Sequence, residues 1–508
     1  MQYFKVMKVK EFPISAGKLI CVLNKIDAED LGVFPGDRLE LINKKNGKNS
    51  VAIVDVTNSE VKEKIIGLFE DLISLLKVKS NDFLEVRATP PLKSLDFIKK
   101  KMDGEKLNGF ELKEIVKDIA DNRLNDIEAS AFISAVYMKG FDLEETTEIT
   151  KALINNGQKI SFNKEPIVDK HSIGGINGRT TMIIVPIVAC AGLFIPKTSS
   201  RSITSAGGTA DAMEVLAPVD LCFEKIKKIT EKHGGVIVHG GAVDLAPADD
   251  KIIRIRHPLA LDPEGMLIAS VIAKKASVSS KYVVIDLPVG PYAKIKDKNN
   301  AIKMAKKFVQ VGKEVGMEID AVITNGEEPS GLAFGPALEA KYVMEILEGK
   351  RFDNLAQKSC ELAGAIFELA NLTGLGKGYD MAVDILHSGK ALEKMKDIIH
   401  AQGGKIDSSI KIILSPLNKE IKAKENGVIQ SFNLKDLTTI ARISGAPANK
   451  LSGVMLNKVE GEKVFKGDVI MTIFAENKQK LESALDYTIK NTPYHFKRII
   501  LSSVRDSD

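Results

Sequence analysis

Two glycine-rich loops hold most of the side chains in this sequence that could do chemistry. The segment Asp169–Thr181 reads DKHSIGGINGRTT, and Lys197–Thr209 reads KTSSRSITSAGGT. In both segments glycine lets backbone N–H groups turn towards an anion, while serine, threonine, lysine and arginine add further donors. Each loop also runs into a helical pattern, whose N-terminus favours negative charge. The two loops therefore predict an enzyme that handles two phosphate groups.

The first loop combines a lysine with several hydroxyl groups. An ammonium group with two or three hydroxyl donors matches the oxygen shell of inorganic phosphate. The loop matches neither the P-loop, which ends in Gly-Lys-Ser/Thr, nor the dinucleotide-binding Gly-x-Gly-x-x-Gly. An ordinary strand-to-helix connection is the alternative, because paired glycines are common there. The candidate phosphate ligands are Lys170, Ser172, Gly174, Thr180 and Thr181.

The second loop places hydroxyl residues on both sides of Arg201. These extra donors suit a second phosphate, one that is part of the substrate. The alternative is a serine- and threonine-rich turn that bonds to its own backbone. The candidate contacts in this loop are Ser199, Ser200, Arg201, Ser202, Ile203, Thr204, Ser205 and Thr209.

The spacing of apolar residues changes along the chain and predicts the elements that position these loops. Short strands and turns predict an N-terminal β-rich, barrel-like domain over residues 1–88. Apolar residues at helical spacing predict a helical subdomain over 92–158, joined by 255–280. Alternating strands and helices predict an α/β phosphate-binding domain over 159–254 with 281–414. A return to short strands predicts a C-terminal α+β, barrel-sandwich-like domain over 415–508.

The predicted fold class is therefore multidomain α/β, with a mixed or largely parallel sheet in the phosphate-binding domain. Ligands of such sheets bind beyond the carboxyl ends of the strands, where both loops fall. One predicted strand, Ile160–Val168, leads straight into the first loop, and Lys281–Leu287 and Ile319–Thr324 are predicted to be buried strands. In the C-terminal domain, Phe465–Asp468 is among the predicted strands.

Composition restricts the possible partners and cell compartment. The chain has 508 residues, too many for one core, and its 72 Lys and Arg against 67 Asp and Glu leave a net charge of only +5. This balance is spread along the chain and predicts no nucleic-acid partner. Four scattered cysteines without CxxC spacing predict no metal site. A charged N-terminus and the absence of a long apolar stretch predict a cytoplasmic protein without a membrane partner.

Several motifs resemble the thymidine and pyrimidine nucleoside phosphorylases, whose fold is shared by anthranilate phosphoribosyltransferase. The motifs are Lys170-His-Ser-x-Gly-Gly175, Gly207-Gly-Thr-Ala-Asp211, and Arg256 followed by Ser270 and Lys274. This resemblance implies a nucleoside phosphorylase class II-like fold, with inorganic phosphate as co-substrate and no cofactor. It also implies that Lys170, Ser172, Thr181, Ser199 and Thr209 bind that phosphate.

The second loop departs from those phosphorylases, which have Ser-Gly-Arg-Gly-Leu-Gly-His-Thr-Gly-Gly-Thr where this chain has SSRSITSAGGT. Hydroxyl residues replace three glycines and the histidine. This loop, with the N-terminal β domain, resembles the archaeal-type AMP phosphorylase branch of the family. The resemblance implies that a nucleoside 5′-monophosphate is the substrate and that AMP and phosphate give adenine and ribose 1,5-bisphosphate. Base preference among adenine, cytosine and uracil stays open, so CMP and UMP are further candidate substrates.

Asp262, in the segment Leu261-Asp-Pro-Glu-Gly265, is the proton donor that the resemblance implies. The alternative role for Asp262 is a helix N-cap followed by Pro at N1, which would lower the pKa of its carboxyl group and make it a poorer acid. The resemblance also implies substrate contacts by Ser270, Lys274 and Lys294.

Two other functions compete with phosphorolysis of a monophosphate. One is a thymidine or pyrimidine nucleoside phosphorylase acting on unphosphorylated nucleosides, and the other is a non-catalytic nucleotide-binding protein. A phosphoribosyltransferase is a weaker candidate function, because the sequence near the two loops has no pair of acidic residues that would bind magnesium pyrophosphate. The resemblance implies a homodimer or a larger homo-oligomer.

Overall fold

The computed structural model of the protein describes residues 3–89, 92–174, 179–202, 205–243 and 246–497. The chain forms two compact units, one made of Met1–Asn156 with Pro247–Ala269 and the other of Gly157–Ala246 with Ser270–Asp508. None of the helices in the described ranges is long and apolar enough to cross a bilayer.

The first unit begins with a closed β-barrel, which confirms the predicted N-terminal β domain. Its strands follow the order β1-β5-β2-β4-β3-β6. Side chains of β3 alternate between half-buried and buried, as expected for a strand with one face on a core. The barrel elements are β1 (Lys5–Phe12), β2 (Ile20–Asn24), α1 (Lys25–Leu31), β3 (Arg38–Asn43), β4 (Lys48–Thr57), β5 (Ile65–Phe69), α2 (Glu70–Leu76) and β6 (Phe83–Ala88).

A helical bundle completes the first unit. Two of its helices start with reciprocal capping boxes, Asn108 with Glu111 and Asn125 with Glu128, in which each side chain accepts a hydrogen bond from the other residue's backbone N–H. The bundle helices are α3 (Lys93–Met102), α4 (Gly109–Ala120), α5 (Asp126–Lys139), α6 (Leu143–Asn156) and α10 (Pro247–Arg256).

The second unit contains parallel strands in the order β11-β10-β7, beside a parallel pair β8-β9. A parallel bridge between Ile167 and Phe194 joins the two sets. The strands are β7 (Val168–Ser172), β8 (Ile195–Ser199), β9 (Gly235–His239), β10 (Tyr282–Val289) and β11 (Glu318–Asn325). The helices are α7 (Thr180–Cys190), α8 (Thr209–Met213), α9 (Phe223–His233), α12 (Lys298–Glu314), α13 (Pro336–Leu347), α14 (Asn354–Leu369), α15 (Gly378–His387) and α16 (Lys390–Gln402). Helix α11 (Glu264–Ala276) spans the boundary between the units.

The strand before the first loop was predicted too early in the sequence. The prediction Ile160–Val168 is wrong, because β7 begins at Val168. The backbone N–H of Ile160 donates to Ser277 O instead of to a neighbouring strand, and Pro166 has no N–H to donate. As a result, Lys170 and Ser172 lie on the strand itself and not in the loop.

The C-terminal part of the second unit is an α+β domain, as predicted. Its strands form two small sheets, β12-β15-β17-β13 and β16-β14-β18. The prediction of a strand at Phe465–Asp468 is wrong, because Asp468 N–H donates to Phe465 O at 2.9 Å and closes a turn. The elements are β12 (Ala333–Phe334), β13 (Asn418–Lys422), β14 (Gly427–Phe432), α17 (Leu434–Ile443), β15 (Gly453–Leu456), β16 (Lys463–Val464), β17 (Val469–Phe474), α18 (Lys478–Lys490) and β18 (Tyr494–Phe496).

Candidate active site

Both loops follow the carboxyl ends of neighbouring parallel strands. Strand β7 ends at Ser172 and β8 ends at Ser199, and each leads through its loop to a helix. The chain runs from β7 to β8 on one side and returns only after β9 to form β10, which pairs with β7 on the other side. This is the switch point at which open α/β sheets bind ligands. The backbone N–H of Lys294, after β10, donates to Gly174 O at 3.3 Å and ties a third connection to the same edge.

Lys170 is buried at this edge and contacts two hydroxyl groups. Its Nζ donates to Thr180 Oγ1 at 2.9 Å and to Ser172 Oγ. The Asp286 carboxylate lies 3.7 Å from the same Nζ. Burial lowers the pKa of Lys170 to about 8, although the charge of Asp286 raises it. The structure thus brings together three predicted phosphate ligands of the first loop.

Asp286 occupies the neighbouring strand β10, directly opposite Ser172. Its Oδ2 accepts a hydrogen bond from Ser172 Oγ at 2.5 Å, and its Oδ1 accepts one from Thr324 Oγ1 at 2.5 Å. The Lys358 ammonium lies 3.4 Å from Oδ2. Burial alone would raise the pKa of Asp286, but Lys170 and Lys358 outweigh burial and lower it. The carboxylate is therefore charged.

A second buried carboxylate, Asp169, lies beside two further lysines. Lys275 Nζ is 2.7 Å from Oδ2 and Lys197 Nζ is 3.3 Å from Oδ1. Burial opposes the charge of Asp169, yet the two lysines lower its pKa. Burial lowers the pKa of Lys275 despite this partner. Burial, followed by the nearby lysines, also holds the pKa of His171 well below its usual range, so the imidazole is neutral.

Charge at this edge favours an anion. In the described cluster four lysines, Lys170, Lys197, Lys275 and Lys358, face two carboxylates, Asp169 and Asp286. Lysines outnumber carboxylates by two, and a bound anion would favour the charged forms of the buried lysines. Thr180 and Thr181 stand in the first turn of α7, and the N-terminus of a helix favours negative charge. The intervening residues 175–178 lie outside the described part of the chain.

Arg179 connects the two loops. Its Nη2 donates to Gly207 O in the second loop, and its Nε contacts the Glu339 carboxylate. Burial raises the pKa of Glu339 to about 7, although Arg179 lowers it. Gly207 precedes Thr209 at the start of α8, so Arg179 fixes one candidate phosphate turn against the other.

Hydrogen bonds within the second loop keep its turn compact. Ser202 Oγ donates to Ser205 O at 2.6 Å, and Ser205 Oγ donates to Gly207 O at 2.9 Å. The Asp211 carboxylate accepts from the backbone N–H groups of Ser202 and Gly208, at 2.7 and 2.8 Å. The backbone-bonding turn foreseen as an alternative is thus present for Ser202 and Ser205. The predicted contacts Ile203 and Thr204 lie outside the described residues.

Arg201 is held by carboxylates in this structure. Its Nη1 and Nη2 donate to both oxygens of Glu214 at 2.6 and 2.8 Å, and Nη2 also donates to Asp220 at 2.9 Å. These bonds raise the pKa of Arg201, and the Arg201 contact lowers the pKa of Glu214 to about 2. A phosphate at Arg201 would use its remaining donor capacity or displace one carboxylate. Ser199 and Ser200 begin the same turn, half-buried and exposed respectively.

The other predicted contacts lie on α11 and after β10. Ser270 is buried, and Lys274 Nζ is 3.4 Å from Ser270 Oγ. Lys294 has an exposed side chain. Asp262 belongs to the first unit, where its Oδ1 contacts Arg256 Nη1. An arginine partner stabilises the charged carboxylate, whereas a general acid must carry a proton.

Sequence reasoning missed Asp169, Lys197, Lys275, Asp286, Thr324 and Lys358 as parts of this site. One signal was available, because Asp286 interrupts the apolar run VVIDLPV of a strand predicted to be buried. A charged residue is almost never fully buried unless it is paired. Its partners come from three other elements, so their identity required the structure.

Comparison with known proteins agrees with this architecture. The helical bundle domain of a glycosyl transferase family matches residues 95–157, and the a/b domain of that family matches 164–281. A pyrimidine nucleoside phosphorylase C-terminal domain matches 428–495. The anthranilate phosphoribosyltransferase of Saccharomyces cerevisiae shares the fold, with a TM-score of 0.51 and 15% identity over 62% of this chain and 99% of that one. Fold and site thus define a glycosyl transferase with a nucleoside phosphorylase C-terminal domain.

Full-length relatives narrow this class further. The AMP phosphorylase of Methanococcoides burtonii is 42% identical over 98% of this chain and 99% of its own. The AMP phosphorylase 1 of Archaeoglobus fulgidus is 42% identical over 98% of each chain. The chain belongs to the AMP phosphorylase family, and the predicted family and fold class are confirmed.

Proposed function

We propose that this protein catalyses phosphorolysis of nucleoside 5′-monophosphates, converting AMP and phosphate into adenine and ribose 1,5-bisphosphate. The observation that carries the proposal is the 42% identity to AMP phosphorylases over 98% of the chain. The buried lysine and hydroxyl cluster at the carboxyl edge of the sheet supports it, because this cluster suits a phosphate dianion. CMP and UMP are further substrates to test.

The reaction breaks the C1′–N bond of the nucleotide and forms a C1′–O bond to phosphate. The bond's electron pair leaves with the base, and positive charge develops on the ribose. Phosphate on the opposite face both stabilises that charge and attacks C1′. A proton delivered to a purine nitrogen makes the base a better leaving group.

The attacking phosphate is assigned to Lys170, Ser172, Gly174, Thr181, Ser199 and Thr209. The side chains of Lys170 and Ser172 already meet at one point in the structure, joined by Thr180. The 5′-phosphate is assigned to the second loop, from Ser200 to Ser205, with Arg201 as its cation. Ser270, Lys274 and Lys294 are assigned to the rest of the nucleotide.

Asp262 is proposed as the proton donor. Its contact with Arg256 favours the carboxylate, so weakening of this contact on substrate binding would help Asp262 to take up a proton. The protonation state of Asp262 would then depend on the bound base.

A substrate comparison tests the proposal. AMP, CMP, UMP, adenosine and thymidine are each incubated with enzyme and phosphate, and the free base is measured by chromatography. Reactions without phosphate serve as controls. We expect phosphate-dependent release of base from monophosphates, and no release at all would identify a binding protein without activity.

A pyrimidine nucleoside phosphorylase is the second candidate, because the C-terminal domain of those enzymes matches residues 428–495. Faster release of thymine from thymidine than of adenine from AMP would favour it. A homodimer or larger homo-oligomer is part of either proposal, and light scattering of the purified protein would measure its size.

A further inference from the structure

Both carboxylate oxygens of Asp286 accept hydrogen bonds behind the candidate phosphate ligands. It is 1% exposed, and its partners come from three elements besides its own strand β10: Ser172 and Lys170 from β7, Thr324 from β11 and Lys358 from α14. Both Ser172 and Lys170 are assigned to phosphate under the proposed function. The charge of Asp286 would repel an anion, so its place beside an anion site calls for another role.

We propose that Asp286 is a positioning residue of the phosphate site, which keeps Lys170 charged and holds Lys170 and Ser172 in one arrangement. It acts through these two side chains and does not touch phosphate. The ammonium of Lys358 also lies near the Asp286 carboxylate, so that Asp286 stabilises the charge of two lysines. This inference rests on the proposed function, because it assigns a role within the site of the attacking phosphate.

Geometry supports the proposal that Asp286 holds Lys170 and Ser172 in one arrangement. Lys170 Nζ donates to Ser172 Oγ, and Ser172 Oγ donates to Asp286 Oδ2, so the carboxylate ends a chain of three groups. Thr324 fixes the other oxygen of Asp286 and stops the carboxylate from turning. Without this carboxylate the Ser172 hydroxyl would lose the group to which it donates, and Lys170 would lose its nearest negative charge.

The surrounding charges support the proposal that Asp286 keeps Lys170 charged. The charged groups that act on Lys170 are Asp286 from β10, Lys358 from α14 and Asp169 from its own strand, with neutral His171 beside it. Behind Asp169 stand Lys275 from α11 and Lys197 from β8. Burial and Lys358 lower the pKa of Lys170, while Asp286 and then Asp169 raise it. Removing Asp286 therefore lowers it further and leaves a neutral amine at moderately alkaline pH.

The variant Asp286→Asn keeps the size of the side chain and removes its charge. We measure kcat/KM for phosphate with AMP as co-substrate, from pH 6 to pH 9.5. Loss of a nearby opposite charge should move the basic limb of the profile downwards by about one pH unit or more. Phosphate kcat/KM at pH 9 then falls about tenfold or more, whereas KM for AMP changes little. Lowering the pH should restore much of the loss.

The variant Lys358→Gln provides a test of opposite sign. It removes a cation that lowers the pKa of Lys170, so the basic limb should move to higher pH. If Asp286→Asn does not fold, this variant decides alone, and an unmoved limb in it overturns the proposal. Asp320→Asn on β11 is the matched control, because Asp320 is exposed and pairs with Val284 rather than with the cluster. Its profile should equal that of the wild type.

Two results with Asp286→Asn itself also overturn the inference. One is an unchanged basic limb and phosphate kcat/KM in Asp286→Asn. The other is an equal loss for phosphate and AMP with an unchanged pH profile, which indicates a structural role only. Failure of the wild type to release adenine would instead reject the proposed function. Calorimetric titration of wild type and Asp286→Asn with inorganic phosphate measures the same binding step without turnover.

Discussion

At the scale of single residues, Lys170 meets two opposing demands. Burial shields a bound phosphate from water and strengthens its attraction to the ammonium, but burial also weakens the charge of the lysine. The compromise is a pKa of about 8 for Lys170, set against burial by the charge of Asp286. A shared network of hydroxyls and carboxylates thus keeps a buried cation available for an anion.

Asp262 is the residue whose role is tested most simply by substitution. Asp262→Asn cannot donate the proton that the leaving base requires, so turnover of AMP should fall by roughly 10²–10⁴-fold. Steady-state kinetics at saturating phosphate measures the loss. Asp103→Asn, at an exposed position in the same unit, is the matched control and should retain wild-type turnover. Unchanged turnover in Asp262→Asn would remove it from the mechanism.

At the scale of elements, the sheet brings residues from distant parts of the chain to one edge. Strand β7 supplies Lys170 and Ser172, while the loops after β8 and β10 approach the same edge. Arg179 then joins the first loop to Gly207 in the second. The spacing between the two proposed phosphates is therefore set by strand order and by this contact.

Gly208 is the point in the second loop that has no room for a side chain. A Cβ there would lie 2.6 Å from Ser200 O and 2.7 Å from Ser202 N, so the backbone of the loop would have to move. We expect Gly208→Ala to lower kcat/KM for AMP by about 10²-fold, since small displacements of binding groups are costly.

The matched control for this variant is Gly374→Ala, where an added Cβ meets nothing within 4 Å. Kinetics and thermal unfolding are measured for both variants. Wild-type kinetics in Gly208→Ala would show that the loop does not hold the substrate in the proposed way.

Glu339 predicts a specific pH dependence of stability. Burial raises its pKa from 4.5 to about 7 despite Arg179, so the folded protein binds this proton more tightly than the unfolded chain. Its contribution is present below pH 4.5 and is lost as the pH rises through 7. Between pH 5 and 8 the wild type should lose about 2–3 kcal/mol more free energy of unfolding than Glu339→Gln. Urea titrations of the wild type and Glu339→Gln at pH 5 and pH 8 measure this difference. The same pH dependence in the two proteins would argue against a raised pKa of Glu339.

The sequence predicted the family, the fold class and the barrel, because periodic patterns and local motifs carry that information. Contacts between distant residues set the rest. The partner of Asp286 on β11, Thr324, is 38 residues away, and no spacing rule connects them. The strand before the first loop was misplaced because its apolar pattern continues through Pro166, while the backbone of Ile160 bonds elsewhere. Asp262 was found through resemblance, since its local context equally fits a helix cap.

At the scale of the whole molecule, the chain forms two units. One contains the barrel and the helical bundle, and the other contains the α/β domain and the C-terminal α+β domain. Each predicted phosphate loop lies in the second unit, and the proposed proton donor lies in the first. The domain boundaries stay predictions. The proposed reaction has a single outcome, the transfer of ribose 5-phosphate from a base to phosphate.

Oxygen labelling tests that outcome most directly. AMP is incubated with the enzyme and inorganic phosphate fully labelled with ¹⁸O, and the sugar product is analysed by ³¹P NMR and mass spectrometry. Phosphorolysis predicts ribose 1,5-bisphosphate with all of the label on the 1-phosphate, including the oxygen bound to C1, and none on the 5-phosphate. Unlabelled ribose 5-phosphate as the product would show hydrolysis by water and would contradict phosphorolysis.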